Sequence, residues 1–377
     1  MGYPPVEAGV IVFFDRRRKM KKRILKIIII AGLLVCIAVF GFAMYGRRQM
    51  EKIPGLSFQD ALEYTTGDNP DAVITVGIIK DGQASYKVYG ENGQELPPEL
   101  HTYEIGSLTK TFTAALICEA EREGKLELSA TIDRYLQLPE GNAYPTMEEL
   151  LTHTSGYKGY YFEKPMISNF FSGRNDFYGI TDDMVLGRLG KLSVPKGNYK
   201  FTYSNFGFAT LGQILESVYD CDFRALMNEF VQQELGLSGT KVSEQDGDLG
   251  NYWDWKTDDA YLSAGALTSN IEDMLAYAGM QLEDNACFDK CHESIKEINA
   301  SSAQYEMMGI HMDEIGMAWI IDRENDILWH NGGTGSYNCY LGVSKEKNMA
   351  VVVLSNLKPG YRIPATVLGV KLLTQDD

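Results

Sequence analysis

An uncharged run over residues 27–45 separates a short N-terminal segment from the rest of the chain, and the two parts are not expected to belong to one domain. Residues 27–45 form 19 positions without a charged side chain, and as a helix they would span about 28 Å, close to the hydrocarbon thickness of a bilayer. Eight Lys and Arg precede this run and three follow it before residue 53. The positive-inside rule therefore predicts a cytoplasmic tail over 1–23, a transmembrane helix over 24–46, a tether over 47–56 and an extracytoplasmic domain over 57–377.

A cleaved signal peptide is the alternative interpretation of the same run. The triplet "GFA" that ends at Ala43 has small residues where a signal peptidase requires them. The run is longer than the roughly 7 to 15 apolar residues of a signal peptide, which favours an uncleaved single-pass anchor in the cell membrane. Under both interpretations the rest of the chain is exported, and it would be secreted if the segment is cleaved.

The charge balance of the exported part excludes one class of function. The chain holds 35 Lys and Arg and 51 Asp and Glu, of which the first 52 residues take 11 and 3, leaving 24 basic and 48 acidic residues. Such a surface repels polyanions, so we expect no nucleic-acid partner.

The cysteines give two further expectations. Five of the six follow the apolar run, and an odd set cannot pair completely in an oxidising exterior. Cys287, Cys291 and the adjacent His292 could suggest a metal site, but no second ligand pair of matching spacing follows. One helical face or a local disulfide is favoured, and we predict neither a metal nor another cofactor.

The order of predicted elements indicates the fold class. Residues 71–90 form two predicted strands joined by Asp81-Gly82, and short strands recur from about 316 to 356. Helical patterns lie between them, notably over 108–124, 205–219 and 223–235. This order predicts a mixed α/β (α+β) domain, with an antiparallel sheet built from both chain ends, packed helices and a helical insertion. A cleft between sheet and insertion is the expected site.

One Ser-x-x-Lys motif stands out by its position. The pattern occurs six times in the chain, so the spacing alone means little. Only Ser107 and Lys110 begin a long helix without Gly or Pro, where residues three apart lie on one face. The helix N-terminus also offers free N–H groups to a developing oxyanion, and a desolvated lysine there can act as a base. The alternative is a capping serine beside a solvated lysine.

Two further segments carry groups that could complete such a site. Tyr203 and Asn205 form the only Tyr-x-Asn and precede a helix, so both can point into one cleft, although a buried tyrosine beside a capping asparagine is the alternative. In the predicted strand "LWHNGG", His330 and Gly332 share a face. Gly332 would let a substrate backbone lie close, and Gly333 could offer a second oxyanion N–H.

The three motifs, in this order and at these spacings, resemble the active-site motifs of the serine β-lactamase and penicillin-binding protein superfamily. The branch they resemble contains class C β-lactamases, DD-carboxypeptidases and related esterases, and the likeness extends over about residues 55 to 370. The resemblance implies a β-lactamase/transpeptidase-like fold and a serine hydrolase that acts on a small molecule or peptide, including cell-wall peptides and β-lactams. It also implies that Ser107 is the nucleophile, Lys110 and Tyr203 move its proton, and Asn205 orients the acyl chain.

The third motif departs from the pattern of the resembled β-lactamases. His330, Asn331 and Gly332 stand where those enzymes have Lys-Thr-Gly. Histidine there implies a DD-peptidase, D-amino-acid amidase or esterase, because a neutral imidazole holds a carboxylate less firmly than an ammonium group does. Asn331, Gly332 and Gly333 would contact the substrate. A non-catalytic relative that binds a cell-wall peptide or partner in the same cleft is the second hypothesis.

Overall fold

The computed structural model describes Gly32, Met44 and residues 50–283 and 285–375. The predicted cytoplasmic tail and membrane span fall outside these residues, apart from Gly32 and Met44. Within the described segments, no helix is both long enough and apolar enough to cross a bilayer. The chain divides into one unit that ends at Gly55 and a compact unit that begins at Leu56.

The strands and helices of the unit that begins at Leu56 follow the order expected from the sequence. The strands are β1 Ile74–Lys80, β2 Gln83–Tyr89, β3 Glu95–Leu96, β4 Tyr103–Glu104, β5 Lys241–Val242, β6 Leu267–Ser269, β7 Lys296–Glu297, β8 Glu314–Ile315, β9 Ile320–Asp322, β10 Ile327–Gly333, β11 Asn338–Ser344 and β12 Met349–Ser355. The helices are α1 Phe58–Thr66, α2 Thr109–Arg122, α3 Met147–Leu151, α4 Lys164–Ser172, α5 Asp182–Leu189, α6 Asn205–Tyr219, α7 Phe223–Glu229, α8 Leu262–Gly265, α9 Ile271–Leu282, α10 Ala286–His292, α11 Ala303–Met307 and α12 Ala365–Thr374.

The large sheet joins both ends of the domain, as predicted. In the described part of the chain it has nine strands in the order β3-β2-β1-β12-β11-β10-β9-β8-β7, and a smaller sheet has the order β4-β6-β5. Every strand pairing is antiparallel, and β1 lies between β2 and the C-terminal β12. Asp81 and Gly82 both have positive φ and form the predicted tight turn between β1 and β2.

Helices cover both faces of the sheet. All seven residues of β11 are buried, which requires cover on both sides. A side chain at Gly77 of β1 would meet Leu275 of α9, whereas one at Gly342 of β11 would meet Leu373 of α12. Because Gly77 and Leu341 both lie opposite Val352, Gly342 faces the other way, so α9 and α12 pack on opposite faces.

The predicted helices match the structure closely. Helix α6 has the predicted bounds and α2 begins two residues after Ser107, while the predicted helix over 223–235 divides into α7 and a π-helical segment, Phe230–Glu234. Helix α2 is almost fully buried and packs on α6, α8 and α10. It thereby brings its N-terminus to the boundary between the sheet and the central helices.

Candidate active site

Ser107 lies in a tight turn immediately before helix α2. The turn is a 3-10 helix over Gly106–Leu108, and it follows β4 after one residue. Gly106 has a φ of +51°, a conformation that glycine adopts without steric cost. The half-buried Ser107 therefore stands where a strand becomes a helix, with the free N–H groups of the first turn of α2 beside it.

Lys110 is buried, and none of the described residues gives it an opposing charge. Its residue exposure is 0%, and its Nζ lies 3.1 Å from the Ser107 Oγ and 2.5 Å from the Ala264 carbonyl oxygen. Burial lowers the pKa of Lys110 well below its ordinary value of 10.5, and no carboxylate opposes that shift. A neutral amine at this distance can accept the proton of the Ser107 hydroxyl.

Tyr203 lies beside both Ser107 and Lys110. Burial raises the pKa of the Tyr203 phenol, and its closeness to the Ser107 hydroxyl lowers that pKa in part. The residue as a whole is 37% exposed, so its ring borders open space. The Lys110 Nζ lies 4.9 Å from the centre of the Tyr203 ring. The structure therefore brings Ser107, Lys110 and Tyr203 into one cluster.

His330 stands beside Tyr203 as a neutral base. Its residue exposure is 3%, and its ring centre is 6.3 Å from that of Tyr203. Burial and the nearby Lys110 lower the pKa of His330 to about 3. The Nδ1 lies 2.6 Å from the Asn331 carbonyl, which can only accept, so Nδ1 carries the proton and Nε2 keeps its lone pair.

His153 is a second buried imidazole with the opposite tautomer. It has a positive φ of 56°, and its ring centre lies 4.5 Å from that of Tyr203. The Ser204 amide N–H donates to His153 Nδ1 at 3.1 Å, so the proton resides on Nε2. Burial lowers the pKa of His153 well below its ordinary value, and the positions of Lys110 and His330 add to that effect. His153 thus holds the Tyr203–Ser204 turn in place.

The backbone of β10 lies directly against the Ser107 turn. A side-chain carbon at Gly332 would come within 1.9 Å of the Ile105 carbonyl oxygen and 3.2 Å of the Ser107 amide nitrogen. One at Gly106 would come within 2.6 Å of the Gly333 nitrogen. The space that we had expected at Gly332 for a substrate backbone is filled by the protein's own backbone. This close approach places the amide groups of Ser107 and Gly333 side by side.

Two asparagines of the predicted site have different surroundings. The Asn331 amide donates to the Thr366 hydroxyl of α12 at 3.0 Å, so the side chain ties β10 to α12 instead of being free for a substrate. Asn205 is the first residue of α6, and the cap of that helix is Ser204, not Asn205. The half-buried Asn205 amide has no side-chain hydrogen bond to the described residues, which leaves it free for a ligand.

Two groups near the site were not predicted from the sequence. The Ala264 carbonyl that holds Lys110 belongs to α8, 154 positions away. Glu104 of β4 is buried, accepts from the Thr334 hydroxyl and the Trp253 amide at 2.6 Å each, and has its pKa raised by burial to about 7. The only sequence feature that could have indicated a role for Glu104 was its position three residues before Ser107. Its hydrogen-bond donors, Thr334 and Trp253, are distant in sequence.

The cysteines pack between two helices away from this cleft. The Cys118 thiol of α2 donates to the Cys287 carbonyl of α10 at 3.4 Å, and the Cys287 thiol donates to the Ala115 carbonyl at 3.5 Å. Cys291 is fully buried beside them. In the described ranges, no group of three or more His, Cys, Asp or Glu side chains could hold a metal ion.

Comparison with known proteins identifies a family that covers most of the chain. The family model described as Beta-lactamase matches residues 47–372. A β-lactamase of Providencia stuartii is 31% identical over 176 residues, which cover 45% of this chain and 42% of that protein. The chain spans about half the length of the curated relatives it matches.

Solved structures share the fold. A penicillin-binding protein homologue from Pyrococcus abyssi has a TM-score of 0.64 at 22% identity, over 84% of this chain and 74% of that one. A β-lactamase/D-alanine carboxypeptidase from Yersinia pestis has a TM-score of 0.63 at 20% identity, over 83% and 94%. The fold and the family match together show that this chain belongs to the β-lactamase family of serine hydrolases.

Proposed function

We propose that this protein is a serine hydrolase that forms an acyl-enzyme on Ser107. The observation that carries the proposal is the desolvated Lys110 amine, 3.1 Å from the Ser107 hydroxyl and without a carboxylate partner. A structural lysine is normally paired or exposed, because burial of an uncompensated ammonium group is costly. A buried, uncharged amine beside a serine, with a phenol next to the same hydroxyl, suits nucleophilic catalysis.

The acylation step follows from these contacts. Ser107 Oγ forms a bond to the substrate carbonyl carbon while its proton passes to Lys110. When the bond to the leaving group breaks, the proton is returned to that group through Tyr203, whose raised pKa keeps the phenol protonated at neutral pH. Water then attacks the acyl-enzyme by the reverse route, which releases the acid and restores the Ser107 hydroxyl.

The remaining groups position the substrate. The adjacent amides of Ser107 and Gly333 are the proposed oxyanion donors, since the backbone approach at Gly106 holds them together. We assign the orientation of the acyl chain to the Asn205 amide, which has no side-chain hydrogen bond to the described residues. The lone pair of His330 Nε2 can accept a hydrogen bond from Tyr203 or from the leaving group. The substrates we propose are esters, D-amino-acid amides and D-amino-acid peptides, with β-lactams as acylating ligands.

We also propose that the protein works outside the cell membrane. The uncharged run over 27–45 and the basic residues before it support a retained single-pass anchor with the hydrolase domain exported. Retention of the full chain in carbonate-washed membranes, and its release when 24–46 are deleted, would support the anchor. Release into the medium of a shortened chain that begins after Ala43 would favour cleavage instead.

Covalent labelling tests the proposed nucleophile. The wild-type full chain should take up a fluorescent fluorophosphonate or a fluorescent penicillin at one site, and Ser107→Ala should take up neither. Ser238→Ala is the matched control, because Ser238 also belongs to a Ser-x-x-Lys motif but is exposed and does not precede a long helix. Absence of label on the wild type would contradict the proposal and favour the non-catalytic alternative.

A substrate panel then resolves the type of hydrolase. We expect ready hydrolysis of p-nitrophenyl esters and weak or absent turnover of a chromogenic cephalosporin, with D-Ala-D-Ala peptides as the third class. The expectation rests on the neutral His330, which offers a substrate carboxylate no charge. Sustained cephalosporin hydrolysis would refute it.

A further inference from the structure

A cavity of about 240 Å³ opens beside Tyr203 and His330. Its walls are mainly aromatic and aliphatic, and include the side chains of His153, Tyr305, Met312 and Trp329. Trp329 is 2% exposed, so its ring forms a fixed wall and not a mobile flap. The cavity is large enough for a phenyl-sized group and shares two residues with the proposed catalytic cluster.

The sheet explains why this space is open. Strand β9 pairs only with Ile327, Leu328 and Trp329 of β10. Beyond Trp329 that edge of β10 has no partner from β9, and His330 stands at the first uncovered position. Whatever occupies the cavity therefore lies along the strand edge next to the Tyr203 phenol.

Because the cavity lies next to Tyr203, we expect it to hold the leaving group of the substrate. In the proposed reaction the bond from the carbonyl carbon to the leaving alcohol or amine breaks, and the proton taken from Ser107 moves to the leaving oxygen or nitrogen. A group that donates this proton has to reach the leaving atom. The leaving group thus lies at Tyr203, on the side where the cavity opens.

The cavity offers no charge to its occupant. None of the described residues that line it is a Lys, Arg, Asp or Glu, and both imidazoles are neutral because burial lowers the pKa of each. The Asn331 amide is directed to Thr366 at 3.0 Å, and the Tyr305 hydroxyl joins the same cluster at 3.5 Å from Asn331. A carboxylate in this space would lose its hydration without gaining a cationic partner.

We propose that this cavity is a leaving-group site for neutral, apolar alcohols or amines, and that it discriminates against leaving groups that carry a carboxylate. The inference rests on the proposed Ser107 acyl-enzyme and narrows its substrate class to uncharged esters and amides.

Matched esters test the charge preference on the full-length protein. We would compare 3-(methoxycarbonyl)phenyl acetate with 3-carboxyphenyl acetate, which share the acyl group and differ in the charge of the leaving group. After correction for their rates of alkaline hydrolysis, the carboxylate should have a kcat/KM lower by about tenfold or more. Equal values for the two esters, with both reactions dependent on Ser107, would overturn the leaving-group site and leave the proposed function intact.

A charge placed in the cavity should reverse the preference. Met312→Lys adds an ammonium group to the wall, so kcat/KM for the carboxylate ester should rise about tenfold relative to the neutral ester. Met307→Lys is the matched control, because Met307 is exposed and does not line the cavity, and it should leave the ratio unchanged. Equal shifts in both variants would indicate general steering by surface charge and overturn the inference. If the wild type hydrolysed neither ester faster than the Ser107→Ala variant does, the proposed function would be refuted as well.

Discussion

Helix α2 carries a buried cluster at each end, and the two clusters are built differently. At the N-terminal end the Lys110 amine is enclosed, with one hydroxyl and one carbonyl as partners. Toward the C-terminal end, Cys118 packs against Cys287, and each thiol donates to a backbone carbonyl of the opposite helix. Both clusters contain a buried side chain, Lys110 in one and Cys118 in the other, yet only Lys110 has its ordinary charge suppressed by burial.

The difference separates groups kept for chemistry from groups kept for packing. A thiol is weakly polar and can be buried with small loss, so the Cys118 cluster needs no functional explanation. Burial of a lysine amine opposes folding at neutral pH, because the unfolded chain would bind a proton that the folded chain excludes. We therefore expect changes at the two ends to have opposite effects on activity and on stability.

The largest effect is expected for Lys110→Met. This change removes the proposed base while keeping a similar volume, so kcat/KM should fall by about 100-fold or more. The free energy of unfolding at pH 7 should not fall in proportion, since the cost of the suppressed charge disappears with the amine. Ester hydrolysis and urea denaturation of the same preparation measure the two quantities.

The pH dependence of stability supplies a check on that variant. In the wild type, the pKa of Lys110 is lower in the folded state than in the unfolded chain, so the unfolded chain binds more protons between the two values. The free energy of unfolding should therefore rise as pH increases through this window, and the Met variant should lack that contribution. A Met variant that unfolds several kcal/mol more readily at pH 7 would show that Lys110 is mainly structural.

Tyr203→Phe should have the next largest effect. The change keeps the ring that borders Lys110 and His153 and removes only the hydroxyl that lies next to Ser107. We expect kcat/KM to fall by about 10- to 100-fold, less than for Lys110, because water can replace part of the proton relay. Steady-state ester hydrolysis measures kcat/KM for this variant. An unchanged value would exclude Tyr203 from the proposed mechanism.

The parts of the fold that were predictable depend on local patterns. The hairpin β1–β2 carries its own turn at Asp81-Gly82, and α6 has an apolar face along its whole length, so both were visible from the sequence. The division of the predicted helix over 223–235 could not be predicted from the sequence, because the π-helical segment Phe230–Glu234 has the same apolar pattern as a regular helix. Short strands such as β5 and β7 have two residues each and exist only through their pairing partners.

The site shows the same limit. The positions of Ser107 and Lys110 on one helical face follow from spacing, and the order of motifs indicated Tyr203 and His330. The space at Gly332 could not be assigned, because the Ile105 carbonyl that fills it comes from another element. The direction of the Asn331 side chain depends on Thr366 of α12. In both cases a residue that is distant in sequence determines the structure at the site, so the sequence pattern around Gly332 and Asn331 could not predict it.

Glu104→Gln tests a buried titratable group whose expected effect on activity lies between those of Lys110 and Cys118. Glu104 accepts from Thr334, next to the proposed oxyanion donor Gly333, and its pKa is raised to about 7. The folded state therefore binds more protons than the unfolded chain between about pH 4.5 and 7, and the free energy of unfolding should fall as pH rises through this window, by roughly 2 kcal/mol.

The Gln variant should lack this slope and retain activity within a fewfold, since an amide can still accept from the Trp253 amide N–H. Denaturation at pH 5 and pH 8 measures the slope. An unchanged slope would show that Glu104 stays ionised in the folded protein, and that the strength of its two hydrogen bonds outweighs its burial.

The smallest effect on activity is expected at the other end of α2. Cys118→Ala removes a thiol from a closely packed position, so the free energy of unfolding should fall by about 1 kcal/mol while kcat/KM stays within twofold. Cys221→Ala is the matched control, because Cys221 is half-buried and its thiol donates to the carbonyl of the neighbouring Asp222, and it should change neither quantity measurably. A tenfold loss of activity in the Cys118 variant would mean that α2 transmits packing at Cys118 to Lys110, and the two ends could then no longer be treated as independent.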